Sequence, residues 1–258
     1  MTTSANGPVL VLLDHTDAGA LRPAVLELLT LARTFGPVHG VWVGEPGASV
    51  PDGVTGPAAE AGAEALHVVG VSGNPRLTPV LAEALAAVIT QVAPGAVLLT
   101  SSFENKEVAG RLGVLTGAGV VVDATGLERV EGTYVAAKGV FAGTWTTRCA
   151  IRTSLAVVAL KPNVVQAEPA PEPGAATVVP HTVTVSDRAL RTVLVERTER
   201  AASGRPDLGA AQVVVVGGRG TEGDFSPVED LADALGGAVG ATRVATDEGG
   251  ISHDAQIG

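Results

Sequence analysis

Short apolar runs alternate with segments of helical periodicity along the first half of the chain. The runs cover residues 8–13, 38–43, 65–71, 96–100 and 119–123. Nearly continuous aliphatic residues over such lengths are typical of strands that are covered on both faces. Strands of this kind, separated by helices, predict an α/β domain with a largely parallel sheet.

Helix signals lie between these runs. Pro23 suits a first helical turn, and the apolar residues at positions 25, 28, 29 and 32 then form one stripe that faces the sheet. Gly36 and Pro37 end this helix. A further helix is expected over residues 103–117, with Ser101 or Ser102 as its N-cap.

The second half of the chain is less regular. Residues 133–160 alternate between apolar and polar positions, which predicts antiparallel or edge strands and a mixed sheet there. Composition breaks follow at 161–180 and at 196–209, and we place the domain boundary at the second. The sequence thus predicts an N-terminal α/β domain over residues 1–200 and, over residues 201–258, the beginning of a second α/β domain.

This second domain shows strand, helix and strand signals in turn. A predicted strand over 212–217 contains four consecutive valines, and a second strand is expected over 237–245. The helix between them is predicted over 227–236, with Ser226 as N-cap and Glu229 completing a capping box. Its buried stripe is expected to consist of Val228, Leu231, Ala232 and Leu235.

Composition narrows the classes of function. The formal net charge of −10 argues against a general nucleic-acid or anionic-membrane surface. No apolar stretch has the length of a membrane span and the N-terminus lacks a secretory pattern, so we expect a cytoplasmic protein without membrane insertion. The single cysteine, Cys149, excludes a disulfide framework and clustered thiolate ligands, and we predict no metal site.

One loop carries candidate chemistry. In VVVVGGRG, residues 213–220, an arginine stands between glycines at the exit of a buried strand, which favours an anionic ligand. Residues 218–223 match the dinucleotide pattern G-x-G-x-x-G. The match is weak, because Glu222 and Asp224 stand where a pyrophosphate would approach. A tight turn with a solvated arginine remains an alternative at this stage.

A family resemblance extends over most of the chain. The segment VVVVGGRG…FSPVEDLADALGGAVGATRVATDEGG…QIG resembles the opening of the flavin-binding domain of electron transfer flavoprotein alpha subunits. The segments LVLLDHTDAGALRPAVLELLTLAR, NKEVAGRLGVLTGAGVVVDA and LAVVALKPNVVQAEP resemble, in the same order, the first domain of that family. The fold class implied is a largely parallel N-terminal α/β domain followed by a Rossmann-like flavin-binding domain.

The resemblance implies an electron carrier rather than an enzyme with its own substrate, and no catalytic residue. Its implied cofactor is FAD, and its implied partner is a beta subunit that completes the flavin pocket and carries AMP. Flavin dehydrogenases such as acyl-CoA dehydrogenases are the implied electron donors, and a quinone-linked oxidoreductase is the implied acceptor.

Specific residues carry the implied flavin site. Arg219 matches the arginine of the family's GGRG, and Thr242 and Arg243 match its usual Ser-Arg at the flavin ring. A permanent positive charge near the ring would stabilise a reduced, anionic flavin. Gln256, Ile257 and Gly258 match the start of the family's Q-(I/V)-G-Q-T-G.

The sequence departs from the family pattern near its end. Gly250 stands where the family usually has an aromatic residue, and Ser252 where it usually has proline. The sequence stops at Gly258, so the resemblance implies an incomplete FAD-binding domain and weak FAD binding by this chain alone. The expectation is a fragment of a longer protein, with a shortened relative that does not bind flavin as the alternative.

Two other functions stay open at this stage. One is an α/β nucleotide-binding or hydrolase-like protein that uses the end of the first strand, near His15 and Asp14. It would need a phosphate loop within residues 1–125, and none is recognisable there. The other is a vestigial interaction subunit without flavin.

Overall fold

A computed structural model of the chain describes residues 7–196, 204–209 and 211–257. The chain divides into two compact units, Met1–Val195 and Glu196–Gly258, hereafter unit 1 and unit 2.

The described part of unit 1 contains ten strands and five helices. The strands are β1 (Val9–Leu12), β2 (Val38–Gly44), β3 (Ala65–Val71), β4 (Ala96–Thr100), β5 (Gly119–Ala124), β6 (Gly126–Val130), β7 (Thr133–Val140), β8 (Trp145–Ile151), β9 (Ala156–Leu160) and β10 (Thr177–Val183). The helices are α1 (Pro23–Ala32), α2 (Asp52–Glu60), α3 (Thr78–Val92), α4 (Phe103–Thr116) and α5 (Asp187–Leu190).

Seven of the strands form one parallel sheet in the order β10-β3-β2-β1-β4-β9-β5. Alternate residues of a strand enter different cores: Val9 and Val11 pack with α1 and α2, whereas Leu10 and Leu12 pack with α3 and α4. Both faces are therefore apolar, which explains the continuous hydrophobic runs of the sequence. The predicted α/β class with a largely parallel sheet is confirmed.

The two helices predicted from the sequence are also present. Pro23 occupies the first position of α1. Of the two candidate caps for α4, Ser102 is the N-cap, and its side chain accepts a hydrogen bond from Asn105 N at 3.1 Å.

The antiparallel strands predicted within residues 133–160 are confirmed for β7 and β8, but the mixed sheet predicted there is wrong. β6, β7 and β8 form a separate three-stranded antiparallel sheet. β9, within the same range, is buried at every position and pairs in parallel with β4 and β5. The alternating pattern identified strands with one solvated face, whereas Ala156–Leu160 is covered on both faces.

The Pro-rich segment 161–176, hereafter the strap, stays attached to unit 1. Glu168 N donates to Thr30 Oγ1 at 3.0 Å, and the Arg33 guanidinium donates to Glu168 O at 3.0 Å, so the strap crosses α1. Ala170 N then donates to Glu60 O at the end of α2, at 2.8 Å. The strap thus leads the chain over the outer surface of these helices to β10.

The described residues of unit 2 form two parallel strands and two α-helices. In chain order it consists of β11 (Val214–Gly217), a 3₁₀ turn (Arg219–Thr221), α6 (Ser226–Leu235), β12 (Ala238–Ala241), α7 (Arg243–Asp247) and a second 3₁₀ turn (His253–Ala255). Its small core is formed by Phe225, Ala241 and Ala245.

The capping box predicted for α6 is wrong. The helix includes Ser226, and the capping position is Phe225, which offers no side-chain acceptor. Asp224 takes this role, because its Oδ1 accepts a hydrogen bond from Ser226 N at 3.0 Å. The bonds to Ser226 hold the pKa of the Asp224 carboxyl below its usual value.

Two further sequence expectations for unit 2 need correction. The strand predicted over 237–245 ends at Ala241, and Arg243 begins α7. Of the expected buried stripe of α6, only Ala232 is fully buried, while Leu231 and Leu235 are half exposed. Short strands in a two-stranded sheet cover too little area to bury the whole helix face.

Within the described residues, no helix combines the length and the apolar character that a membrane crossing requires.

The central strands should dominate the stability of unit 1. Leu98 in β4 is fully buried, so Leu98→Ala should lower the free energy of unfolding by about 3 kcal/mol. Urea unfolding followed by tryptophan fluorescence checks this, because both tryptophans, Trp42 and Trp145, lie in unit 1. The control Val114→Ala, at a position that is 87% exposed, should change it by less than about 0.5 kcal/mol. Equal effects of the two changes would contradict the assignment of β4 to the core.

Candidate functional site

The carboxyl ends of β11 and β12 lie side by side in unit 2. The two strands pair in register from Val214 with Ala238 to Gly217 with Ala241. Thr242 N then donates to Gly217 O at 3.0 Å. This geometry brings the glycine loop after β11 beside the Thr-Arg pair after β12, so residues 24 positions apart in the sequence reach one edge of the sheet.

The glycine loop turns sharply away from β11. Thr221 bonds back to Gly218 O through both its N–H and its hydroxyl, each at 3.0 Å. Glu222 follows in the left-handed region, at φ 51°. The loop therefore forms a compact turn, and Arg219 lies in it with its side chain exposed to solvent.

The Phe225 ring accounts for the presence of glycine, and not a larger residue, at two positions of this site. A Cβ on Gly217 would lie 2.5 Å from the Phe225 ring, so no larger residue fits at the end of β11. A Cβ on Gly250 would lie 2.9 Å from Gly223 Cα and 3.4 Å from the Phe225 ring. The family's aromatic residue at position 250 therefore has no room in this structure, because Gly223 and Phe225 already fill that space.

Thr242 and Arg243 stand at the start of α7. Thr242 is the N-cap of α7, but its hydroxyl makes no capping hydrogen bond. The Arg243 side chain is 78% exposed, and its Nε lies 3.5 Å from Asp247 Oδ2. Asp247 Oδ1 in turn lies 3.9 Å from His253 Nδ1. The exposed guanidinium of Arg243 and the hydroxyl of Thr242, which makes no capping hydrogen bond, thus lie next to the carboxyl ends of β11 and β12.

Sequence reasoning missed the partners of Arg243. Asp247 is four residues further on, which is a favourable spacing for an ion pair within a helix. That signal was hidden because the segment was predicted as a strand, in which residues four apart do not face each other in this way.

The last described residues extend the two-stranded sheet. Ile257 N donates to Ala241 O at 2.9 Å, and Gln256 forms a parallel bridge with Ala241. The Ile257 side chain covers Gly240, where a Cβ would lie 2.3 Å from it. Gly258, the remaining predicted cofactor-binding residue, lies outside the described residues.

The third described arginine of unit 2, Arg205, has a structural role. Its Nε and Nη2 donate to the two carboxylate oxygens of Asp233 at 2.5 and 2.9 Å, and Glu229 is 3.6 Å from Nη1. The bonds to Asp233 raise the pKa of this guanidinium. Arg219, by contrast, makes no ion pair with any residue in the described part of the chain. Its charge is therefore available to a ligand.

The strand end near His15 in unit 1 is occupied by an internal network. Asp14 Oδ2 accepts hydrogen bonds from Thr100 Oγ1 and Asn105 Nδ2, both at 2.6 Å, and Asn105 Nδ2 also lies 2.9 Å from Thr100 Oγ1. Burial raises the pKa of Asp14 despite these bonds. The network joins the ends of β1 and β4 to α4, so a structural role explains Asp14 without a ligand.

Residues outside this network give no support to a metal or hydrolase site. His15 Nδ1 lies 3.1 Å from Leu13 O, and the His15 ring lies 6.0 Å from that of Trp42. No group of three or more metal-ligating side chains that could hold an ion occurs within the described ranges.

Comparison with known proteins assigns both units. A family model described as an electron transfer flavoprotein domain matches residues 9–188, and one described as an electron transfer flavoprotein FAD-binding domain matches residues 207–258. The chain belongs to the electron transfer flavoprotein alpha subunit family. It is accordingly an electron-transport flavoprotein chain of α/β fold.

Relatives of this family match along most of the chain. The electron transfer flavoprotein subunit alpha of Mycobacterium leprae is 37% identical over 255 residues, which are 96% of this chain and 76% of that protein. The corresponding protein of Mycobacterium tuberculosis CDC 1551 is 36% identical over 97% of this chain and 77% of its own length. A mitochondrial alpha subunit of Dictyostelium discoideum is 52% identical over 65 residues, which are 24% of this chain and 18% of that protein.

The Asp14 network predicts an unusual response to substitution. A carboxyl whose pKa is raised by folding stabilises the fold when protonated, below its unfolded value of 3.8, and this contribution is lost as the pH rises through the folded pKa. Asp14→Asn keeps an oxygen acceptor for Thr100 and Asn105 without the charge. We therefore expect it to raise the free energy of unfolding at neutral pH by about 1 kcal/mol.

Tryptophan fluorescence during urea unfolding measures this effect. Asp14→Ala removes the acceptor of the Thr100 hydroxyl and of one Asn105 N–H, so it should instead lower the free energy of unfolding by about 2 kcal/mol. A loss of stability in Asp14→Asn as large as that in Asp14→Ala would show that the negative charge itself is needed.

Proposed function

We propose that this chain is the alpha subunit of a heterodimeric electron carrier that holds FAD at the carboxyl ends of β11 and β12. The observation that carries this proposal is the exposed guanidinium of Arg243 next to the Thr242 hydroxyl, which makes no capping hydrogen bond. Both lie within the segment that matches an FAD-binding domain.

The residues present fit a flavin. FAD needs cationic and hydrogen-bonding groups near a ring and a diphosphate that carry negative charge. Arg219 and Arg243 supply two exposed guanidinium groups at adjacent strand ends, and Thr242 supplies a hydroxyl.

Bound FAD would supply the electron chemistry, and the residues of the chain would tune it. A guanidinium group is a permanent cation, so Arg243 would favour a negatively charged flavin ring without proton transfer. Thr242 would hydrogen-bond the ring through its hydroxyl, which accepts no capping hydrogen bond from the backbone of α7. The two residues therefore bias the reduction potential rather than catalyse a reaction.

Arg219 and the last described residues have a different role in this proposal. Arg219 lies in the turn after β11. From there its positive charge would bind an anionic group of the flavin cofactor or of the partner subunit. Gln256 and Ile257 hold a third segment against β12, and with Gly258 they would form part of the cofactor-binding surface. In the same proposal residues 1–200 form the N-terminal α/β domain and residues 201–258 belong to the FAD-binding domain.

The proposed partner is an electron transfer flavoprotein beta subunit. Support comes from the family of alpha subunits to which the chain belongs. A beta subunit would enclose the flavin from the side that unit 2 leaves open. We further propose that electrons come from flavin dehydrogenases such as acyl-CoA dehydrogenases and pass to a quinone-linked oxidoreductase.

Flavin retention tests the heterodimer. A large amphiphilic cofactor needs most of its surface buried, and the side chain of Arg243 is mostly open to solvent in unit 2. We expect this chain alone to purify nearly colourless and co-expression with a beta-type subunit to raise the bound FAD several-fold. Absorbance at the flavin bands, with FAD extracted and quantified, measures both. Stoichiometric flavin in the chain alone would contradict the need for a partner.

Substitution of Arg243 tests its proposed role at the ring. In the flavin-loaded heterodimer, Arg243→Ala should make reduction less favourable, because a positive charge beside a ring that becomes negative is lost. For one electron about 60 mV corresponds to roughly 1.4 kcal/mol, and we expect a fall of about that size. Arg243→Lys, which keeps the charge but not the planar fork, should give an intermediate value. Potentiometric titration gives the midpoint potentials.

Arg219→Ala serves as the matched comparison in the same unit. It should weaken the binding of flavin or of the partner more than it changes the potential, since Arg219 belongs to the glycine loop. Unchanged potentials in Arg243→Ala would show that this arginine is not at the ring.

A further inference from the structure

Three histidines of unit 1 form a continuous row of hydrogen bonds. His39 Nδ1 lies 3.1 Å from His67 Nε2, and His67 Nδ1 lies 2.8 Å from His181 Nε2. The row ends on helix α3, where His181 Nδ1 lies 2.9 Å from Gln91 Oε1. We call His39, His67 and His181 the imidazole row. It is remote in the sequence from every residue of the proposed flavin site.

Strand register brings the three rings together. His67 in β3 pairs with Val41 of β2 and with Val179 of β10. His39 and His181 are each two residues from these partners, so all three rings lie diagonally on the same face of the sheet. His67, in the middle, is 4% exposed, whereas His39 and His181 are half-buried.

The hydrogen bonds define which nitrogens carry protons. The Gln91 oxygen accepts only, so His181 Nδ1 carries a hydrogen and His181 Nε2 accepts one from His67 Nδ1. By the same logic, His67 Nε2 accepts from His39 Nδ1. The row is thus complete with three neutral rings. A proton added to His181 Nε2 opposes the N–H of His67 and breaks the bond between β3 and β10. A proton added to His67 Nε2 opposes the N–H of His39 and breaks the bond between β2 and β3.

The surrounding groups offer little compensation for positive charge. Glu64, before β3, attracts a charge on His39. On α3, Gln91 is neutral, and Glu83 is bonded to the N–H and hydroxyl of Ser186 at 2.6 Å each. Burial lowers the pKa of all three histidines. Burial and the neighbouring rings together lower the pKa of His67 to about 4.

The imidazole row links the edge strand β10 to β3 through side chains. This strand lies at the edge of the sheet and pairs only with β3, over Thr177–Val183. Its outer face is open, as shown by the exposed Val178, and its inner face offers His181 with the partly buried Val179 and Val183. The bond between His67 and His181 is therefore the polar side-chain link that joins β10 to its neighbour β3.

We propose that the imidazole row is a pH-sensitive link between β10 and the rest of the sheet. It holds β10 in place while the three imidazoles are neutral, and it releases this edge strand when they become protonated. It adds a conformational response to acid that is independent of the flavin site.

The direction and size of the response follow from proton linkage. Folding lowers the pKa of a base here, so the stabilisation is complete above the unfolded value of 6.5 and is lost as the pH falls toward about 4. Opening of β10 exposes His67 on one side and so relieves part of its burial. For His67 alone, lowering the pH from about 8 to about 5 should therefore increase the equilibrium constant for opening of β10 by up to about 30-fold. His39 and His181 act in the same direction.

Hydrogen exchange measured by mass spectrometry tests the proposal on the full chain. After correction for the intrinsic pH dependence of exchange, amides of residues 177–183 should lose protection several-fold, up to about 30-fold, between about pH 8 and about pH 5. Amides of β1, in the centre of the same sheet, should keep theirs. Protection of β10 that does not change with pH, or that changes in parallel with β1, would overturn the proposal.

Three variants separate the row from other effects of acid. His67→Gln can accept from His39 and donate to His181 but cannot become charged, so it should remove most of the pH response. His15→Gln, which changes a histidine outside the row, should keep the full response. A full response in His67→Gln, or its loss in His15→Gln, refutes the proposal. Should His67→Gln not fold, His181→Gln at its half-buried position must reduce the response, and an unchanged response there has the same meaning.

Discussion

Parallel strand pairing is the constraint on which both units depend, because it brings the carboxyl ends of neighbouring strands to one edge of a sheet. In unit 1 it joins Asp14, Thr100 and Asn105 from separate segments. In unit 2 it joins the loop of Arg219 to Thr242. The two edges differ in their hydrogen bonding. In unit 1 the polar side chains at the strand ends bond to one another, whereas in unit 2 those of Arg219 and Thr242 do not. This difference is why the proposed cofactor site lies in unit 2 and not at the equivalent edge of unit 1.

The sequence was most informative where burial is complete. Strands β1 to β4 match continuous apolar runs, because both of their faces are covered by helices. The run of β5, an edge strand, marks a strand that is only partly buried. The same logic failed for residues 133–160, where alternation reveals strands but not the sheet that each one joins. Helix α2 contains Gly53, Gly56 and Pro57, which disfavour a helix, and packing of Val54 and Ala58 in the core overrides them. Tertiary contacts of this kind have no local signature.

The candidate site was located from the sequence but not its geometry. Arg219, Thr242 and Arg243 came from a resemblance, and the structure adds which of their groups are already engaged. The position of Arg243 in a helix, and hence its pairing with Asp247, depends on β12 ending at Ala241. A difference of a few residues in a strand boundary is within the error of pattern reading, yet it changes every neighbour of the side chain.

The position of the strap in the chain determines when β10 becomes available during synthesis. Six strands of the large sheet, β1 to β5 and β9, precede the strap, while β10 follows it and docks at the far edge beside β3. As the N-terminus leaves the ribosome first, these six strands and helices α1 to α4 are available to fold before β10 has been synthesised. β10 is thus the last strand of the large sheet to be synthesised, and the strap is the segment that carries it to the edge beside β3.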